Sequence, residues 1–279
     1  MALVINSNIA ALTTQRNLNS SQGALNTSLE RLSSGLRVNS AKDDAAGMFS
    51  IERMTADVRG LNQAVRNAQD GISLAQTGEG SMAQIQSALQ RIREIAVQSS
   101  NATVEDRTGL QAEVDQLTQE ISRIVQTTEF NGKKLLDGTG GTLTFQIGAD
   151  GVASNQIDVT GVNLTTMAAG YAADLTATGT VDVSSAATAS AAIANIDTAI
   201  DTVSTNRATF GAVQNRFEAV ITNLTTYSEN LSAARSRLQD ADFAAETANL
   251  TRAQILQQAG VAMLAQANTQ PQTALALLR

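Results

Sequence analysis

The sequence predicts a mainly α protein: a long antiparallel, coiled-coil-like helical bundle carrying a small β-hairpin element. Three observations predict it. Apolar residues step by three and four over long runs in both halves of the 279-residue chain. Seven-residue spacing persists along the C-terminal third, as in packed long helices. Near residues 130–160 the pattern switches to strand-like alternation between turn dipeptides.

Taken in order, Ile5, Ile9 and Leu12 open the first helix, and Leu25, Leu29, Leu32 and Leu36 continue its stepping. The stretch "SGLRVNSAKDDAAG" interrupts it. Gly35 suits a helix C-terminus, while Ser40, Asp43 and Asp44 offer N-capping oxygens and negative charge to the next helix. That helix is marked by Ile51, Met54, Val58, Leu61, Val65, Ala68, Ile72 and Ala75. It resumes after Gly78 and Gly80 at Met82, Ile85, Leu89, Ile92 and Ala96. Residues 44–99 would form a rod of roughly 85 Å.

A loop around "SSNATVEDRTG" turns the chain, and Leu110, Val114, Leu117, Ile121 and Ile124 mark an antiparallel helix. Asn131-Gly132, Asp137-Gly138 and Asp150-Gly151 are turn dipeptides, and Leu143, Phe145 and Ile147 alternate as in a half-buried strand. Residues 163–190 are rich in Ala, Thr and Ser, with no pattern that fixes a structure. From Ile193 helical spacing runs to the end of the chain. It passes through Phe210, Val213, Phe217, Val220, Leu224, Tyr227, Leu231, Ala234, Leu238, Ala241, Ala245 and Ala248, with Arg207 in one apolar slot. Beyond Leu238 the seam thins to alanine, which permits close approach but buries little per residue.

Composition narrows the function. There are 19 Lys+Arg against 26 Asp+Glu, a net charge of -7, so the basic footprint of a nucleic-acid-binding protein is absent. With no cysteine and no histidine, disulfides, thiol nucleophiles, thiolate metal sites and the commonest general base are all excluded. Aromatics at 3% argue against a stacking platform or an aromatic-lined pocket. No ordinary secretory signal peptide is expected, because no basic residue precedes Arg16 and no clean apolar region follows. The uncharged stretch 253–278 is long enough to span a bilayer, yet Gln254, Gln257, Gln258, Gln266, Asn268, Gln270 and Gln272 make it too polar for one.

Charge divides the chain. Residues 1–29 carry only Arg16, and residues 247–279 only Arg252 and Arg279. Bare helical ends imply faces covered by something other than water, and the terminal leucines Leu275, Leu277 and Leu278 point the same way. Disordered low-complexity termini are the alternative; regular periodicity argues instead for helices that form on assembly.

Several long segments then carry a resemblance. "INSNIAAL", "SLERLSSGLRVNSAKDDAAG", "LQRIREIAVQSSN", "EFNGKKLLDG" and "RAQILQQAGVAMLAQANTQPQTALALLR" resemble bacterial flagellin, over about residues 1–160 and 190–279. The short middle region resembles a minimal member. The resemblance implies that residues 1–42 and 239–279 pair as inner core helices, ordering on assembly. Residues 43–238 would form an outer helical domain, with a β element at about 130–160 and a short variable stretch at 163–190. It further implies a homopolymer whose assembly core includes Ile5, Ile9, Leu12, Ile255, Leu264, Leu275, Leu277 and Leu278. Implied partners are an export chaperone at the C-terminal region, and hook-associated and cap proteins. Export through the flagellar apparatus to an extracellular filament is implied too, with no cofactor and no catalytic residue.

The segment "LQRIREIAVQ" is similar to the one by which many flagellins are sensed by a Toll-like receptor. The matching positions are Gln90, Arg91, Ile95 and Gln98, with Glu113 on the facing helix and Ile95 where Leu is usual. On this reading these residues face away from the core formed by Leu89, Ile92 and Ala96. The plainer reading makes Arg91 and Glu113 a solvated pair or a subunit contact. Asp43 and Asp44 read as helix caps rather than paired catalytic acids, since adjacent residues at a helix start diverge. "GTGG" at 138–141 is a turn, because it lacks the Lys-Ser/Thr of a phosphate loop. The zinc peptidase motif carried by some flagellins needs histidine, which this chain lacks. The 163–190 stretch permits O-glycosylation by composition. Three functions follow: a filament subunit, a hook–filament junction protein of the same family, or an enzyme on a helical scaffold, for which no residue can be named.

Overall fold

A computed structural model of the chain describes residues 7–167, 169–173 and 178–277, those from 271 onward by backbone alone. Ile5 and Leu278, and the side chains of Leu275 and Leu277, therefore lie outside the described residues. The elements are α1 (Ile9–Ser34), α2 (Ala45–Ser99), α3 (Thr108–Thr127), β1 (Glu129–Phe130), β2 (Lys133–Lys134), β3 (Thr142–Gln146), β4 (Gln156–Thr160), α4 (Ala186–Gln239) and α5 (Phe243–Leu277). The chain divides into two compact units. One comprises residues 1–56 and 229–279, the other residues 57–228.

In the terminal unit, α1 ends on Gly35 at φ 74, the left-handed conformation that glycine adopts without steric cost. Asp44 Oδ1 accepts from Gly47 N at 2.8 Å and caps α2. Asp43 instead closes the preceding turn, accepting from the Ser40 amide and hydroxyl. Those hydrogen bonds hold the Asp43 carboxyl below its ordinary pKa.

The expected unbroken C-terminal helix is corrected: α4 stops at Gln239 and α5 starts at Phe243. The physical reason is tertiary. Arg37 N donates to Gln239 O, Ala241 N donates to Gly35 O, and Leu36 bridges Asp240, so the two connectors form a short antiparallel patch. Asp242 Oδ1 then accepts from Ala244 N at 2.9 Å and restarts the helix. The "DADF" run carried that cap in plain view.

The second unit holds a continuous apolar core. α2 contributes Leu74, Met82, Ile85, Leu89 and Ile92, and α3 contributes Val114, Ile121 and Val125. Ile157 and Val159 come from β4, and Ile196, Val203, Phe210 and Phe217 from α4. Gly71 in α2 leaves the hollow in which Phe217 sits; a Cβ there would stand 2.5 Å from Phe217 Cζ. Phe217 also meets Phe145 edge-on, with ring centroids 5.6 Å apart.

β3 and β4 pair antiparallel with Leu143 opposite Val159 and Phe145 opposite Ile157, which puts the predicted alternating residues on one packed face. Asn131 at φ 48 and Gly132 at φ 74 make the tight turn between β1 and β2. The described residues of the Ser/Thr/Ala-rich stretch ahead of α4 form a strap. It buries Leu164, Ala169, Val181 and Val183, and its backbone is held by one face of α3. Gln111 bonds Val181 O and Val183 N, Asp115 accepts from Gly179 N, and Ser122 accepts from Ala172 N. α4 begins at Ala186, ahead of the expected Ile193, because Ser185 and Thr188 cap it reciprocally.

Candidate assembly surface

α1 and α5 pack along a single seam. On α1 the sheltered positions are Ala11, Thr14, Leu18, Ser21, Leu25, Ser28 and Leu32; on α5 they are Glu246, Leu250, Ala253, Gln257, Gly260, Leu264 and Ala267. Both sets step by three and four throughout, which is the heptad seam of a coiled coil. The pairing is antiparallel. Asn8 Nδ2 donates to Ala267 O at 2.7 Å, Gly260 sits beside Leu18, and Gln257 Nε2 donates to Gln22 Oε1 at 2.6 Å. At the other end Arg31 lies 3.9 Å from Glu246. Gly260 lets α5 approach Leu18 of α1 closely: a Cβ added there would stand 3.2 Å from Leu18 Cδ1.

This seam differs from the stripe expected on α1. Leu29, placed on the stripe by sequence spacing, stands exposed, while Ser21 and Ser28 occupy seam positions. The signal for this was the Ala/Ser/Thr spacing between Leu18, Leu25 and Leu32.

Using one face leaves the others bare. Among the described residues, twelve large apolar side chains are strongly exposed, and eight of them lie on α1 and α5: Ile9, Leu12, Leu29, Phe243, Ile255, Leu256, Val261 and Met263. A ninth, Phe49, is in the same unit. Single exposed leucines need no explanation, but eight on one helix pair do. Ile9 is 66% and Ile255 60% exposed, so each could still bury most of its side chain, worth about 1–2 kcal/mol apiece. Of the residues expected to serve assembly, Ile9, Leu12 and Ile255 face outward, whereas Leu264 is part of the internal seam.

A second, polar surface lies on α2 and α3. Arg91 Nε donates to Glu113 Oε1 at 2.8 Å and its Nη1 to Glu94 at 3.0 Å, which raises the guanidinium pKa further above its ordinary value. Gln90, Arg91, Gln98 and Glu113 are all exposed. Ile95 is not: it is 0% exposed, which corrects its expected outward placement. The α2 stripe is wide enough here to take both Ile95 and Ala96 into the core.

Among the described residues, no group of three or more His, Cys, Asp or Glu side chains is placed to hold a metal, and no helix is long and apolar enough to cross a membrane.

Two family models match: one described as the bacterial flagellin N-terminal helical region, over residues 5–140, and one as the bacterial flagellin C-terminal helical region, over residues 193–278. The stretch between them contains the strap. The chain is 47% identical to a flagellin of Halalkalibacterium halodurans, over 99% of this chain and 100% of that one. It is 45% identical to a flagellin of Bacillus subtilis, over 99% of each. Its backbone also resembles a solved Vibrio parahaemolyticus structure assigned to the flagellar hook-associated proteins. There the TM-score is 0.59 with 13% identity, over 71% of this chain and 100% of that one, a likeness of fold alone.

Proposed function

The chain belongs to the bacterial flagellins, and from that membership we propose that its terminal helix pair is the element by which subunits join. As a flagellin it is a structural subunit of the extracellular flagellar filament, polymerising with other flagellin subunits and flagellar proteins. The hook–filament junction alternative is not favoured, because full-length identity of 45–47% falls on flagellins.

One observation carries the reading: α1 and α5 satisfy one seam against each other and leave eight large apolar side chains facing outward. Residues 1–42 and 239–279 act as the inner, assembling part and residues 43–238 as the outer part. Ile9, Leu12 and Ile255 make the contacts between copies, with Leu264 holding the hairpin that presents them. Ile5, Leu275, Leu277 and Leu278, named as assembly residues by the resemblance, are assigned to the same assembling part of the chain. Seeded elongation tests this: Ile255→Ser and Leu278→Asp subunits should add to filament fragments poorly. Growth of either variant at the parent rate would remove the terminal pair from the assembly role.

We further read Gln90, Arg91, Gln98 and Glu113 as the surface presented to the host flagellin-sensing Toll-like receptor, with Ile95 acting from beneath as core. Arg91→Ala should weaken receptor activation by monomer in a reporter cell, and an undiminished response would exclude the surface. The exposed C-terminal helix is the segment offered to an export chaperone before passage through the flagellar export apparatus. Hook-associated and cap proteins meet the same terminal unit. Co-purification of the chaperone with a chain lacking residues 264–279 as well as with the parent would count against that placement.

A further inference from the structure

Residues seven apart along α4 form two neighbouring rows. Ala189, Ile196, Val203, Phe210 and Phe217 make the buried row. The adjoining row reads Ile193, Ile200, Arg207, Gln214 and Ile221, with its three isoleucines packed against the core. An arginine therefore stands where an isoleucine would fit. Its guanidinium reaches across to α2, where Nη2 donates to Glu79 Oε1 at 2.9 Å and Nη1 donates to Gln86 Oε1. Those two acceptors are themselves one heptad apart. Arg207 Nε, however, is buried with no hydrogen-bond partner. Half-burying a charge and leaving one of its N–H groups unmet costs stability that an apolar residue would not.

The way the rings of α4 seat on α2 gives that cost a use. Phe210 lies over Gly78 and Phe217 over Gly71, where an added Cβ would stand 3.3 Å and 2.5 Å from the rings. The next position in that α2 row is Ala64, also small and buried. A slip of one heptad would put Phe210 on Gly71 and Phe217 on Ala64, with the seven-residue patterns still matched. The opposite slip would drive Phe210 onto Ile85, so bulk excludes it. Apolar packing thus leaves one wrong register open, and polar contacts close it. In that register Ile72 would replace Glu79 beside one arm of Arg207, and Glu79 would replace Gln86 beside the other. Asp197, which accepts from Arg93 Nε at 2.6 Å, would face Gln86 instead. We propose that Arg207, bridging Glu79 and Gln86, fixes the axial register of α4 on α2, with the exposed Arg93–Asp197 pair as its support. A polar residue at a seam position specifies register at a cost in stability.

The pin does not depend on assembly, because all of these contacts lie within residues 57–228. With no cysteine in the chain, spin labels attach only where cysteines are introduced. Ser73→Cys and Asn195→Cys put labels at exposed positions, about 30 Å apart along the shared axis in the Phe217–Gly71 register. The one-heptad slip shortens that separation by about 10 Å. Pulsed dipolar distance measurements on the full chain compare the labelled parent with Arg207→Met/Glu79→Gln, which leaves neither charge unpaired, and with the same pair plus Asp197→Asn. The pin predicts one distance in the parent, a second and shorter population in the double variant, and a larger share of it in the triple variant. The double variant should also melt at or above the parent temperature by circular dichroism. A single parent-like distance in every variant overturns the proposal, as does a split distance in the parent itself. A double variant that melts lower or fails to fold overturns it too, since Arg207 would then supply stability rather than select a register.

Discussion

The two units of this chain treat their apolar side chains in opposite ways. In residues 57–228, α2, α3, α4, β4 and the strap enclose one core in which Leu89, Ile92, Ile121 and Phe217 lose essentially all contact with water. In the terminal unit the same helical periodicity yields a seam of leucines set among Ala, Ser, Thr and Gly, and eight further large apolar side chains of α1 and α5 stand outside it. The difference teaches that periodicity alone does not say where a helix is finished. A helix whose bulky residues face inward is complete within its own chain. One that closes a narrow seam and still leaves many bulky apolar residues facing outward is complete only with neighbours.

The comparison is broken most directly by truncation. Removing residues 264–279 should abolish filament growth, read by electron microscopy of seeded samples, while circular dichroism of the free chain keeps the helical signal of residues 57–228. Filaments of normal length from that chain would erase the distinction between the units. Next in size is Phe217→Ala, which should lower the stability of the second unit by about 3–5 kcal/mol in chemical denaturation. Ile255→Ala in the terminal unit should change free-subunit stability by no more than about 0.5 kcal/mol while slowing elongation. Equal effects of the two substitutions on the free subunit would contradict the division.

Smaller again is Gly71→Ala, whose new methyl meets the Phe217 ring; about 1–3 kcal/mol of overpacking is expected in the same denaturation assay. Gly23→Ala, on an open face of α1 with nothing within 4 Å, should not destabilise the free chain and serves as the control.

The smallest effect concerns Asp43. Its carboxyl pKa is lowered in the folded chain by the Ser40 amide and hydroxyl, so its stabilising contribution is present at neutral pH. That contribution disappears as pH falls through and below the ordinary aspartate value of about 3.9. Asp43→Asn should therefore melt slightly below the parent at neutral pH and converge with it in acid. A gap that is constant with pH would rule out the Ser40–Asp43 hydrogen bonds as the cause.

Much of this was legible from residue types and spacing. The run of Ile85, Leu89 and Ile92 marked the buried face of α2, Gly35 the end of α1, and Asn131-Gly132 the turn between β1 and β2, because each expresses a local constraint. The break at 240–242 was not read, although Asp242 is a capping residue, since alanines on either side preserve the step of three and four. The strap resisted altogether: Gln111, Asp115 and Ser122 hold its backbone rather than its side chains, so its own sequence carries no trace of the contact. Ile95 was misplaced for a related reason. Position within a motif says which residues occur together, not which of them reach solvent.

By itself the sequence determined most of the helical runs, the Gly35 stop and the Asp44 cap, the β turns, the absence of thiol and imidazole chemistry, and the uncharged ends. These depend on neighbours a few residues apart. Only the tertiary structure decided which of two apolar stripes on α1 and α5 became the seam. It also decided that Phe217 fills the hollow at Gly71, and that Arg207 of α4 reaches Glu79 of α2. Each of those follows from side chains far apart in sequence competing for one small volume, and close packing admits one winner.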